Sequence, residues 1–203
     1  MKKVDLRKEL KHLYQPPKDA VVLVDVPVMN YLMIDGEGDP NTAQSFREAL
    51  EVLYPLSYTL KFMVKKGAKA VDYAVMPLEG LWWADDMSTF NVEDKSNWKW
   101  TLMITQPSYV EKAMVDFAIA EVKRKKNPVA LPKVRFEAFA EAKAAQIMHV
   151  GPFSEEGPTV KRVHDFINEI GGKLSGKHHE IYLSDIRKVD PKKWKTVIRQ
   201  PMQ

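Results

Sequence analysis

The sequence predicts an α+β fold made of duplicated strand-helix-strand-strand modules related by a pseudo-two-fold axis. Three observations predict it. A strand-like run ending in glycine occurs twice, at residues 29–36 and 145–151; an amphipathic stripe follows each run; and further strand-like runs follow each stripe. Two antiparallel modules so related line up their sheets, leave a central groove between them and place the helices outside. The chain, residues 1–203, reads as a single domain, with repeat 1 over 20–83, an insertion over 84–139 and repeat 2 over 140–203.

In the first copy a strand over 29–36 enters the turn Asp35-Gly36-Glu37-Gly38-Asp39-Pro40, which leads to Asn41 as a helix cap. Phe46, Ala49, Leu50 and Leu53 keep the i, i+3, i+4, i+7 spacing of one buried helical face, and Pro55 stops that helix. Strands over 58–64 and 72–76 complete the copy. The insertion contributes a strand over 98–104, a helix over 110–125 striped by Ala113, Met114, Phe117 and Ala118, and a strand-like run over 133–139. In the second copy the helical stripe is Val163, Phe166, Ile167 and Ile170, closed by Gly171-Gly172, whose first residue supplies a left-handed conformation. Strands over 178–185 and 195–199 finish the chain before Pro201.

Composition narrows the function. The 203 residues with 45% hydrophobic content suit a globular protein, and the absence of cysteine excludes disulfides and thiol chemistry and suits a reducing, cytoplasmic setting. The N-terminus has basic residues but no apolar stretch behind them, and no run approaches a membrane span. The net charge of +4 permits a nucleic-acid partner without demanding one. The densest basic run, Lys123-Arg124-Lys125-Lys126, suits a helix C-terminus, and no nucleic-acid motif accompanies it. Direct nucleic-acid binding is therefore not expected, and neither is a membrane partner; a homodimer is compatible with these features.

The most informative stretch is residues 178–185. A strand here puts His179, Ile181 and Leu183 on one face, and Glu180 with Tyr182 on the other. The first set faces the core, so the carboxylate of Glu180 lies on either a solvated surface or a cleft. Trp82 and Trp83, adjacent in one strand, cannot both enter the same core; one of them lines a surface or cleft, where an indole offers a flat stacking face. His178 and His179 point to opposite faces and so do not chelate one metal together, while His149 and His164 lack ligand-spaced neighbours. His164 reads as solvent-facing and His149 as a structural histidine near the groove. No metal and no cofactor is expected. The acidic turn at 35–40 repels phosphate, and no Gly-x-Ser-x-Gly elbow is present. The ten methionines read chiefly as core, with an adaptable groove lining as the alternative.

Four motifs in order, Pro77-Leu78-Glu79-Gly80-Leu81-Trp82-Trp83, Ile147-Met148-His149-Val150-Gly151-Pro152-Phe153, the stretch 178–185, and Lys195-Thr196-Val197-Ile198-Arg199-Gln200-Pro201, resemble the stand-alone GyrI-like small-molecule-binding proteins over nearly the whole chain. Two positions depart from that pattern: Ile186 stands where proline is expected, and Ala142 where glycine is expected. The resemblance implies a curved antiparallel sheet and a groove for planar, hydrophobic, often cationic molecules, in which Glu180 matches the acidic ligand contact. It further implies kinship with hydrolases that open the cyclopropane of DNA-alkylating natural products. On that reading Glu180 and Tyr182 are catalytic, Glu180 activating water and Tyr182 hydrogen-bonding near the developing phenolate. Trp82, Trp83, Trp100, Tyr109, His149 and Phe153 contact the ligand. A non-catalytic multidrug-binding or drug-sequestering module is the alternative, and a gyrase or other macromolecule interaction protein is a third reading.

Overall fold

The computed structural model describes residues 2–86 and 94–203; residues 87–93 of the predicted insertion lie outside the described residues. In chain order the elements are β1 (Lys2–Val4), the short helices α1 (Leu6–Glu9) and α2 (Lys11–Tyr14), β2 (Val22–Val26), β3 (Met29–Glu37), α3 (Gln44–Lys66), β4 (Val71–Tyr73) and β5 (Leu78–Trp83). There follow β6 (Lys99–Gln106), α4 (Lys112–Lys125), β7 (Arg135–Phe139), β8 (Ala142–Val150), α5 (Gly157–Glu169), β9 (His178–Tyr182) and β10 (Lys195–Pro201). The class is α+β, as the sequence predicts. The chain divides into two compact units, the first comprising residues 1–6, 29–76 and 82–139, the second 7–28, 77–81 and 140–203.

In the first unit β3 pairs antiparallel with β6 on one side and β7 on the other. Its core is Leu32, Ile34, Leu102 and Ile104 together with one face of α3. That helix is where the sequence reading fails most clearly. Pro55 does not stop it, and the predicted strand over 58–64 is its second half. The reason is burial: Ala49, Val52, Leu53, Leu56, Leu60 and Val64 form one continuous helical stripe of core residues. Burying Leu56, Leu60 and Val64 at roughly 1.5–3 kcal/mol each outweighs the cost of about 3 kcal/mol for an interior proline. Thr59 donates its hydroxyl to the Pro55 carbonyl at 2.8 Å.

Three further details differ from expectation in this unit. Ala43, not Asn41, precedes α3, and Asn41 instead folds onto the Asp39 side chain in a tight turn. The buried face of α4 is Val115, Ala118 and Val122; of the predicted stripe Ala118 is buried, whereas Ala113 and Phe117 are exposed, Phe117 by 57%. The strand over 72–76 shrinks to β4, which pairs in parallel with β1. Gly36 has a steric role, because a Cβ there would overlap the six-membered ring of Trp100. Met33, Met76 and Met103 are core residues.

In the second unit the strand order is β2-β8-β10-β9, and the pairings within it are antiparallel. Helix α5 packs Val163 and Ile167 against Ala145, Ile147 and Ile198, with Met202 completing the cluster; Phe166 packs against its edge, while Ile170 is 45% exposed. Gly171 takes a φ of 76° just past the helix, and the Gly172 amide returns to the Ile167 carbonyl at 2.9 Å, closing α5 as predicted. Strand β9 ends at Tyr182, so Leu183–Asp185 belong to the following turn.

Candidate functional site

Strand β9 alternates as the sequence requires, with His179 and Ile181 fully buried and Glu180 and Tyr182 partly exposed. Its register with β10 places Glu180 opposite Ile198 and Tyr182 opposite Thr196. Opposed residues share a face, and Ile198 belongs to the α5 cluster. Glu180 therefore stands on the face of the second unit's sheet that carries α5.

The carboxylate is held from both sides. The Tyr182 hydroxyl donates to Glu180 Oε2 at 2.7 Å, and His178 Nε2 meets Oε1 at 3.0 Å. Residues 178, 180 and 182 thus form a Tyr-Glu-His line at the period-two spacing of the strand. Only 14% of the Glu180 side chain and 9% of the His178 side chain are exposed. The phenolic proton of Tyr182 points at Glu180, which makes Tyr182 a partner of that carboxylate. His164, on α5, is half-buried and not solvent-facing; burial, followed by the charge of nearby His178, pushes its pKa down.

Aromatic rings adjoin this line. Phe153, 37% exposed in the turn after Gly151-Pro152, meets the Tyr182 ring edge-on at 5.6 Å and lies 4.9 Å from the ring of Trp194. Trp194 Nε1 donates to the Val189 carbonyl at 2.8 Å, which fixes that indole. Phe153 was legible as a site candidate; Trp194 and His178 were not.

The other predicted ligand contacts occupy different surroundings. Trp82 and Trp100, 3% and 0% exposed, belong to an aromatic cluster of the first unit in which Phe46 stacks on Trp82 and meets Trp100 edge-on, and Trp98 meets Trp82. Of the adjacent pair, Trp83 is the less buried. Tyr109 packs edge-on against Tyr73 at 5.9 Å, and burial raises the Tyr73 pKa, with Tyr109 adding to the shift. At His149, Nδ1 pairs with the Thr159 hydroxyl at 2.9 Å and Nε2 with the Pro152 carbonyl at 3.3 Å. A carbonyl only accepts, so Nε2 carries a proton toward Pro152.

The opposite face of β9 holds a buried charged array that the sequence reading did not identify. His179 Nε2 meets Glu79 Oε2 at 3.0 Å, and Nδ1 meets both oxygens of Glu141, at 2.9 and 3.0 Å. Arg199 donates to Glu141 at 3.1 Å, to Gln146 at 2.9 Å and to the Leu13 carbonyl at 2.8 Å. Tyr14 donates to Glu79 Oε1 at 3.2 Å, and Gln146 to the His12 carbonyl at 2.7 Å. Burial alone pushes the His179 imidazole down, but the Glu141 charge and the hydrogen bonds to both carboxylates outweigh it and raise its pKa to about 9. Burial likewise pushes Glu141 up, yet the adjacent His179 and Arg199 bring it to about 2. Two acidic side chains, Glu79 and Glu141, thus meet one imidazole and one guanidinium. Among the described residues no group of three or more His, Cys, Asp or Glu is arranged to hold a metal ion, and no helix is long and apolar enough to cross a membrane.

A model of the GyrI-like small-molecule-binding domain matches residues 19–203, and the chain belongs to that family. It is similar over 98% of its length to an uncharacterized conserved protein from Listeria innocua, with 38% identity, all of that chain covered and a TM-score of 0.91. Two structures described as hydrolases from the same organism match at 38% and 39% identity, covering 98% and 100% of this chain and all of their own, with TM-scores of 0.85 and 0.88. The EcmrR C-terminal domain, at 13% identity and a TM-score of 0.54 over 91% of this chain and 97% of its own, shares the fold. Among curated proteins, none matches significantly.

Proposed function

We propose that this small-molecule-binding domain is an enzyme that hydrolyses the strained cyclopropane of planar, DNA-alkylating natural products, a detoxifying reaction. The observation that carries the reading is the Glu180 carboxylate, partly exposed and held in place by Tyr182 and His178, with the ring of Phe153 beside it. The similarity to Listeria innocua proteins described as hydrolases supports it.

In the proposed reaction a water oxygen attacks the cyclopropane methylene while Glu180 takes the water's proton. The strained carbon–carbon bond breaks, its electron pair flows into the dienone, and an aromatic phenolate results that is protonated from solvent. Tyr182 and His178 keep Glu180 aimed at the water through their hydrogen bonds. Phe153 packs against the flat ligand. Incubating the protein with a cyclopropane alkylator should give the hydrated product by mass spectrometry, and Glu180→Gln should lower the rate by about 10²–10⁴-fold, the usual worth of a positioned base. Unchanged hydrolysis in that variant would remove Glu180 from the mechanism.

A second reading, a drug-binding module in which Glu180 balances a lipophilic cation, draws on the same two hydrogen bonds, because they stabilise the charged carboxylate. Tight binding of a cationic dye, lost in Glu180→Gln, together with no product from the alkylator, selects this reading.

A further inference from the structure

Strand β9 carries the Glu180 line on one face and the buried charged array on the other, and the two meet in consecutive residues, His178, His179 and Glu180. We infer that the Glu79–His179–Glu141–Arg199 array is a positioning element for Glu180, and that the N-terminal helix Lys11–Tyr14 completes it. The inference rests on Glu180 being the working carboxylate.

The geometry follows from the period of two. A β-strand held only by backbone pairing retains freedom to roll about its axis, and such roll swings alternate side chains together. His179 is clamped at both ring nitrogens, by Glu79 from β5 and by Glu141 from the residue before β8. A side chain tied at both ends in this way fixes the roll of its own residue, and hence the directions of 178 and 180 on the other face. Arg199, directly opposite His179 in β10, is tied in turn to Glu141 and Gln146, so the neighbouring strand is held by the same array.

Apolar packing would supply stability more simply. Each buried ion carries an effective desolvation penalty of several kcal/mol, and replacing buried ion pairs with well-packed apolar residues is often neutral or stabilising. What the array provides beyond cohesion is direction, because hydrogen bonds to a ring edge have defined angles and apolar contacts do not. Its last members lie outside the residues that match the family domain, which begin at 19. Tyr14 donates to the oxygen of Glu79 that His179 does not use, and the carbonyls of His12 and Leu13 accept from Gln146 and Arg199. The segment before the domain thereby finishes the hydrogen bonding of residues within it.

The test uses the full chain labelled with ¹⁵N-histidine. In the wild type His178 should show the Nε2–H tautomer, held by Glu180, and Glu180→Ala should release it to a tautomer mixture. Glu79→Gln preserves volume and replaces the carboxyl oxygen that meets His179 or Tyr14 with an amide nitrogen; it should move the His178 signals toward those of Glu180→Ala. It should also lower kcat for the alkylator by about 10–100-fold with KM little changed, the loss expected of a misaimed group. Tyr14→Phe should move both readouts the same way by less, and it decides the matter if Glu79→Gln does not fold. His178 signals identical to wild type in both variants, with melting temperature alone reduced, would overturn the inference. Absence of hydrolysis by the wild type would count against the proposed reaction only, since the tautomer readout needs no turnover.

Discussion

The hydroxyl of Tyr182 donates to Glu180 Oε2 across 2.7 Å, two residues apart on one face of a strand, so the phenol's single proton is committed to the carboxylate. Tyr182→Phe removes that bond and keeps the ring that meets Phe153 at 5.6 Å. A hydrogen bond to a charged group contributes about 1.5–3 kcal/mol, so the melting temperature should fall by several degrees, and kcat/KM for the alkylator should fall by roughly 10–100-fold through the lost aim of Glu180. Steady-state kinetics beside a thermal melt separate the two effects; equal kcat/KM in both proteins would show that Glu180 is aimed without Tyr182.

The buried array sets a pH window for stability. His179 has its pKa raised from 6.5 to about 9, so its stabilisation is complete below pH 6.5 and is lost as pH rises through 9. Glu141 has its pKa lowered from 4.5 to about 2, so its stabilisation is complete above pH 4.5 and is lost as pH falls through 2. Denaturant midpoints measured across pH should therefore be flat between 4.5 and 6.5 with respect to this pair, and should decline on both sides. His179→Gln should remove much of the decline above pH 6.5; an unchanged alkaline limb in that variant would assign the loss to other groups.

Ala142 has a φ of 59°, in the left-handed region that a side chain disfavours. The strain amounts to about 1–2 kcal/mol for an L-residue, and glycine removes it at some cost in unfolded-chain entropy. Ala142→Gly should raise stability by roughly 1 kcal/mol, a shift of about 2–4 °C in Tm for a chain of this size. A lower Tm would mean that Ala142 makes contacts worth more than its strain. The other departure, Ile186, is 51% exposed in the turn after β9.

The parts of the fold that were legible in the sequence are those whose burial follows one local period. Strand β9 and helix α5 each bury one face, and alternation in the first or 3.6-fold spacing in the second marks it. Helix α3 was obscured because Pro55 and the β-favouring run Tyr58-Thr59-Leu60 mimic a break followed by a strand, whereas the stripe that continues through Leu56, Leu60 and Val64 spans the proline. The Glu180 site was half legible. Period two ties Tyr182 and His178 to Glu180, but nothing local says that both side chains turn toward it. Glu79 was invisible as a member of the buried array: it sits in the run Leu78-Glu79-Gly80-Leu81, and its partners His179 and Tyr14 are 100 and 65 residues away. Only the tertiary fold brings them together.

Because β9 separates its two faces so cleanly, it behaves as two interleaved alphabets written on one strand. On the proposed function, positions 178, 180 and 182 spell the chemistry, and position 179 spells the grammar that keeps those letters upright. A library seeking new ligands can vary the first set freely while holding Glu79, His179, Glu141 and Arg199 constant. A transplant of Glu180 and Tyr182 onto another scaffold without that second set would carry the letters and lose the sentence.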